Sequence, residues 1–144
     1  LRRSSAASDV YKRQMSNSVI GYLDPDFFKI MEEVSEGLSK VYNSTGHSFA
    51  IAGSGSAGME AGFVNLISEN EKLLICNNGY FCKRMTLMAD RLEINYDTAD
   101  YDWGKKIDLG DLEEKLKKND YAMVAAIHAE TSTGVLNPIK EIGE

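Results

Sequence analysis

No apolar run in the sequence approaches the roughly 20 residues that cross a bilayer, which excludes a transmembrane helix and a membrane partner. A basic excess is missing too: 16 Lys and Arg stand against 22 Asp and Glu, for a net charge of −6. Nucleic-acid binders show the opposite balance, so no nucleic-acid partner is expected. Cysteine is scarce. Cys76 and Cys82 stand six apart with no His or Cys at metal-ligand spacing, and two cysteines in 144 residues make no disulfide framework. Reduced thiols in a cytoplasmic protein are the reading, with a reactive thiol as the alternative. No internal repeat or low-complexity linker interrupts the chain. What is present, 43% hydrophobic and 26% charged residues, is globular composition on the scale of one domain.

Residues 1–14, LRRSSAASDVYKRQ, differ from the rest. They carry four basic residues (Arg2, Arg3, Lys12, Arg13), one acid (Asp9) and no helical or strand periodicity. No apolar stretch follows the arginines, which disfavours a secretory signal. The Arg- and Ser-rich, acid-poor composition fits a mitochondrial transit peptide. The string SSAASDVYKRQ also resembles translated sequencing-adapter read-through, and a non-native leader over 1–14 is the expectation adopted. Residues 15–144 then carry 12 basic and 21 acidic side chains, a charge of −9.

Asp24-Pro25 is a helix start, an acid at the N-cap and a proline at the first helical position. Phe27, Ile30, Met31, Val34, Leu38 and Val41 follow at steps of three and four, which predicts a helix over 25–42 with one apolar face. Asn43 to Gly46 ends it. Phe49 to Ala52 reads as a strand, Gly53 to Gly58 as a tight turn, and Met59 to Ile67 as a helix. Leu73 to Cys76 is a buried strand, 80–90 a helix, and Leu92 to Tyr96 an alternating strand. Asp108 caps a helix whose Leu109, Leu112 and Leu116 share a face. Tyr121 to Ile127 is a near-continuous apolar strand, followed by a polar segment from His128 to Asn137 and a helical start after Pro138. Strands alternating with helices predict an α/β domain with a mostly parallel sheet covered on both faces.

Ligands of such folds sit where strands end and helices begin. Three segments occupy such places. In Gly53-Ser54-Gly55-Ser56-Ala57-Gly58, backbone N–H groups at a helix start and two hydroxyls can make an anion site, with phosphate the natural ligand; the alternative is a plain strand-to-helix turn that needs small residues. The same letters match the dinucleotide pattern G-x-G-x-x-G. That pattern wants an acid at the end of the next strand, where Asn77-Asn78 stands instead. In Asn78-Gly79-Tyr80-Phe81, an aromatic side chain can stack on a planar ring or simply pack in the core. In His128-Ala129-Glu130-Thr131-Ser132-Thr133-Gly134, an imidazole, an acid and three hydroxyls gather at the end of the most apolar strand. Burying them without partners is costly, which points to the lining of a site, with a solvated loop as the alternative. His47, isolated in a turn, reads as surface.

These segments, extended to Ala61, Arg84 and Pro138, together with Ile20-Gly21-Tyr22-Leu23-Asp24-Pro25 and Asp102-Trp103-Gly104, resemble the class-V aminotransferases, in particular the alanine–glyoxylate and serine–pyruvate branch. The resemblance covers residues 16–144, and the Glu130 to Leu136 stretch is its most specific part. It implies a fold-type-I enzyme that uses pyridoxal 5′-phosphate, usually as a homodimer, with small amino acids and 2-oxo acids as substrates. It also implies that Ser54, Gly55 and Ser56 hold the cofactor phosphate. Phe81 would stack on the pyridine ring, and Thr131 would stand near the ring substituents.

Several positions depart from the family pattern. Tyr22 stands where His is common, Cys82 where Gly is common, and Asn17-Ser18 where an Arg/Lys-Pro pair is usual. No lysine fits the Schiff-base role: Lys83 precedes Arg84 in a helix, and Lys105 and Lys106 lie in a polar loop. The family's Schiff-base Lys, its pyridinium-partner Asp and its substrate-binding Arg are expected beyond Glu144. The sequence thus reads as the N-terminal part of a large domain, catalytically inactive alone and prone to aggregate through an open sheet edge. The alternatives are another class-V enzyme (a cysteine desulfurase or a phosphonate-type transaminase), a dinucleotide-binding oxidoreductase domain, and an α/β interaction module without catalysis.

Overall fold

The computed structural model describes residues 9–144. Residues 1–8 of the expected leader lie outside the described residues. The chain divides into two units, Leu1–Ile51 and Ala52–Glu144.

In the first unit, α1 spans Asp9–Met15 and α2 Pro25–Tyr42. The seven residues of α1 are too few to show a periodicity in the sequence. The boundaries of α2 are those its caps dictate. The Asp24 carboxylate accepts the Asp26 N–H at 2.9 Å, Pro25 opens the first turn, and Asn43 closes the helix in the left-handed conformation at φ 50°. Phe27 and Leu38 of the predicted stripe are half-buried, while Ile30, Met31, Val34 and Val41 stay exposed.

The second unit begins with α3, Gly55–Leu66, and continues through β1 (Leu73–Asn77), α4 (Tyr80–Arg91), β2 (Tyr96–Asp100), α5 (Leu109–Lys118) and β3 (Met123–Ala125). A hairpin of β4 (Ala129–Glu130) and β5 (Val135–Leu136) and the short α6 (Ile139–Ile142) follow. The sheet is parallel in the order β2-β1-β3, with Leu73 opposite Tyr96 on one side and Met123 on the other. As the central strand, β1 is buried from Leu73 to Cys76, the pattern of a strand covered on both faces. Phe63, Leu73, Ile75, Cys82, Met85 and Ala89 form the core on the α3 and α4 side. Leu74, Cys76, Ala99, Ile107 and Leu112 form the core on the α5 side. Helices on both faces of a parallel sheet are the expected arrangement.

Four expectations shift. The helix expected from Met59 begins at Gly55, so the second half of the glycine turn is its first turn. Phe49 to Ala52 is not a strand, because among the described residues it pairs with no other strand and extended backbone needs a ladder. The strand expected at Leu92 to Tyr96 begins at Tyr96. Leu92 to Asn95 instead form the turn that follows α4, where Glu93 takes φ 55° and the Ile94 N–H bonds to the Ala89 carbonyl at 3.0 Å. The polar segment after Ile127 contains the β4–β5 hairpin. Its turn closes through the Gly134 N–H on the Glu130 carbonyl at 2.9 Å, with Gly134 at φ 73°.

Candidate functional site

The three candidate segments all fall at the helix-start end of this unit. Ser54 is the N-cap of α3, extended at φ −78° and ψ 171°, and its hydroxyl makes no capping bond. Its carbonyl accepts the Ala57 N–H at 2.9 Å. Gly55 and Ser56, first in the helix, have N–H groups with no intrahelical acceptor, so the turn keeps two backbone donors and one hydroxyl for a ligand. The Arg84 guanidinium, from α4, donates to the Ser56 Oγ at 2.8 Å. This contact joins the glycine turn to α4 and brings a fixed positive charge beside it.

Phe81 lies in the first turn of α4, 36% exposed, with Tyr80 edge-on at 5.7 Å between ring centroids. An aromatic side chain thus stands part-exposed at the start of the helix. Thr131 is exposed at the first position of the β4–β5 turn. Glu130 connects the two. Fully buried, it accepts the Phe81 N–H at 3.0 Å through Oε2 and the Ser132 hydroxyl at 2.6 Å through Oε1. Burial pushes its carboxyl up, but the Ser132 hydroxyl and the N–H groups of Ser132 and Cys82 outweigh that and hold it below the ordinary glutamate value.

Behind this rim, the Asn78 and Asn137 side chains are buried and tie the loops together. The Asn78 amide donates to the Lys105 carbonyl at 2.9 Å, and the Asn137 amide to the Ile127 carbonyl at 2.7 Å. Asn78 is spent on these partners, while Asn77 donates to Asp100 at 2.7 Å. The cysteines are free and buried. A cavity of about 360 Å3 adjoins the site along α4, lined in part by Glu60, Tyr80, Arg84 and Leu87; it reaches none of Ser54, Ser56, Phe81 or Thr131. Among the described residues no cluster of His, Cys, Asp and Glu could hold a metal ion, and no helix is long and apolar enough to cross a membrane.

The structure therefore links Ser56 to α4, and Phe81 to the turn that carries Thr131. Arg84, Glu130 and Ser132 are the residues that do the linking. Sequence reading placed all three inside its motifs without a role. An acid directly after an apolar strand was the available signal for Glu130; nothing local marks Arg84.

A parallel α/β sheet with backbone donors, an aromatic side chain and hydroxyls near its helix starts is the layout in which α/β folds bind small ligands. The sequence pattern of the aminotransferase class-V family matches residues 4–144. The chain belongs to that family. It is 35% identical over 133 residues to the (S)-ureidoglycine–glyoxylate transaminase of Bacillus subtilis, covering 92% of this chain and 32% of the relative. The 2-aminoethylphosphonate–pyruvate transaminase of Bacteroides fragilis is 38% identical over 96 residues, 66% of this chain and 26% of its own. Among solved structures, the alanine–glyoxylate aminotransferase of a Nostoc species superposes with a TM-score of 0.83 at 34% identity, covering 92% of this chain and 35% of its own. The chain spans about a third of the length of the curated relatives it matches.

Proposed function

We propose that this chain is the N-terminal part of the cofactor-binding large domain of a pyridoxal 5′-phosphate-dependent aminotransferase. The parent enzyme moves an amino group from alanine or serine to a 2-oxo acid such as glyoxylate. It works in the cytoplasm as a homodimer. The observation that supports the reading is a pair of contacts on α4: Arg84 reaches Ser56 at the uncapped start of α3, and the Phe81 N–H reaches Glu130 beside Thr131.

Each part of the cofactor finds a suitable partner. The phosphate fits the Ser54 hydroxyl and the N–H groups of Gly55 and Ser56, where the α3 dipole and the Arg84 charge both favour an anion. Phe81 offers its face to the pyridine ring, and Thr131 a hydroxyl to the ring substituents. When bound, pyridoxal phosphate supplies the electron sink that amino-group transfer needs. The residues of this chain bind and orient it. None of Lys83, Lys105 and Lys106 is assigned the covalent attachment; the Lys105 Nζ pairs with Asp102 at 2.8 Å in an exposed loop. That role, the pyridinium partner and the substrate-carboxylate clamp are assigned to residues outside this sequence, and the 144-residue chain alone is inactive.

Glyoxylate is favoured as the acceptor because two of the relatives above carry it in their names. Aminoethylphosphonate–pyruvate transamination is the second reading, on the strength of the 38% identical relative. Binding of pyridoxine 5′-phosphate, which lacks the aldehyde and cannot couple to surface lysines, tests the site. Saturable binding that inorganic phosphate competes away, and that Ser54→Ala with Ser56→Ala abolishes, is expected. Tight saturable binding of NAD in its place would overturn the reading.

A further inference from the structure

Glu130 is an unusual acid for its position. It is fully buried, and no cation pairs with it among the described residues. Its partners are neutral donors: the Phe81 N–H (3.0 Å), the Cys82 N–H (3.3 Å) and the Cys82 thiol (3.5 Å) on Oε2, and the Ser132 N–H (3.2 Å) and hydroxyl (2.6 Å) on Oε1. The Ser132 Oγ in turn accepts the Tyr80 N–H at 3.0 Å. The first backbone bond within α4 is the Lys83 N–H on the Gly79 carbonyl at 3.1 Å. The N–H groups of Tyr80, Phe81 and Cys82, the first three residues of α4, are thus all taken by Glu130 and Ser132.

Other helices of this protein manage the same task locally. Asp24 and Asp108, both exposed, cap α2 and α5 from the adjoining position. At α4 that position is Gly79, and its φ of 178° is backbone that any residue adopts. Glycine is needed there for space: a Cβ on Gly79 would fall inside the Glu130 side chain. The fold gives up a local cap and accepts a buried carboxylate, which is costly unless well bonded. A local cap would close the helix equally well. It would not tie the Phe81 backbone to the residue next to Thr131.

We propose that Glu130 is the positioning residue of the cofactor site: it caps α4 from the β4–β5 turn and so holds the Phe81 ring and the Thr131 hydroxyl in one fixed arrangement. The inference rests on the reading of Phe81 and Thr131 as cofactor contacts. Glu130 itself touches no ligand. A carboxylate with two acceptor oxygens is required, because glutamine would turn an NH2 group toward donors on one side or the other.

Two measurements on the 144-residue chain, wild type and Glu130→Gln, decide it. The first is hydrogen exchange at the Phe81 and Cys82 amides without ligand. Exchange at least about tenfold faster is expected in the variant, with the Leu74 and Ile75 amides of β1 unchanged. The second is the circular dichroism induced in bound pyridoxine 5′-phosphate, which reports how the ring is seated. Its loss in Glu130→Gln, with partial return in Glu130→Asp, is expected. Unchanged exchange overturns the proposal. Faster exchange with an unchanged induced signal also overturns it, since Glu130 would then be a structural cap alone. A wild type that shows no induced signal sinks the cofactor reading, and Glu130 as its positioning residue falls with it; the exchange data then show whether the cap survives separately. If Glu130→Gln does not fold, Glu130→Asp carries both comparisons, expected intermediate in each, and a wild-type result from it overturns the proposal.

Discussion

The side-chain amides of Asn78 and Asn137, 59 residues apart, bond to each other in both directions, at 2.9 and 3.3 Å. Asn78 follows β1 and Asn137 follows β5, so one buried pair fastens the loops on which the site stands. Asn137 also accepts the Ile107 N–H at 3.1 Å.

Replacing Asn137 by Ala therefore strands several buried groups at once: the Ile107 N–H, the Ile127 carbonyl and the Asn78 amide. A loss of roughly 3 kcal/mol of folding stability is expected. Urea unfolding monitored by circular dichroism measures it.

Leu109 and Leu112 lie on one helix but carry different weight. Leu112 is 3% exposed and packs in the α5-side core, whereas Leu109 is 39% exposed. Leu112→Ala should cost about 2–4 kcal/mol and Leu109→Ala under about 1 kcal/mol. Chemical denaturation of the two variants side by side reads the contrast.

Acid sensitivity should trace in part to Glu130. Its carboxyl is held below its ordinary 4.5 in the native state, so the unfolded chain binds the proton first as pH falls. The stability this group contributes is whole above about pH 4.5 and drains away as pH drops through the lowered native value. Unfolding midpoints of wild type and Glu130→Gln, taken from neutral pH downward, should converge at the acid end. A constant gap across the range would contradict the assignment.

Both thiols should resist alkylation in the folded protein. Burial first, then the neighbouring Cys82 and Asp111, push Cys76 up to about 12, and burial likewise raises Cys82. At pH 8 roughly one Cys76 thiol in 10,000 is then the reactive thiolate. Mass spectrometry after a brief exposure to iodoacetamide should find two unlabelled cysteines in buffer and two labelled ones in denaturing urea.

The elements governed by local chemistry were legible in the sequence. Asp24-Pro25 and Asn43 bound α2, Asp108 starts α5 through the Asp111 N–H at 3.0 Å, and the apolar run at 73–76 is the buried centre of the sheet. Strands whose existence depends on a neighbour were not. Phe49 to Ala52 has the composition of a strand without a ladder, and Tyr96 begins β2 because Leu73 lies opposite it. Two of the candidate segments were visible because polar residues cluster where β1 and β3 end; the third was visible by its glycines and serines at a helix start, with no strand before it. Their linkage was not, since the Arg84–Ser56 bond spans 28 residues and the Phe81–Glu130 bond 49. No periodicity encodes contacts of that reach.

Gly79 and Glu130 occupy a single volume between them, and this constrains how the sequence can drift. Any side chain at 79 evicts the carboxylate, and a smaller residue at 130 leaves the notch empty and the helix start unpaired. Each single change meets a penalty that the other relieves, so the two positions should alter together or hardly at all. In the double variant Gly79→Ser with Glu130→Ala, a serine can cap α4 from the usual place, and the pair should cost less than the sum of its parts. The two positions are inherited as one decision about where the cap of α4 comes from.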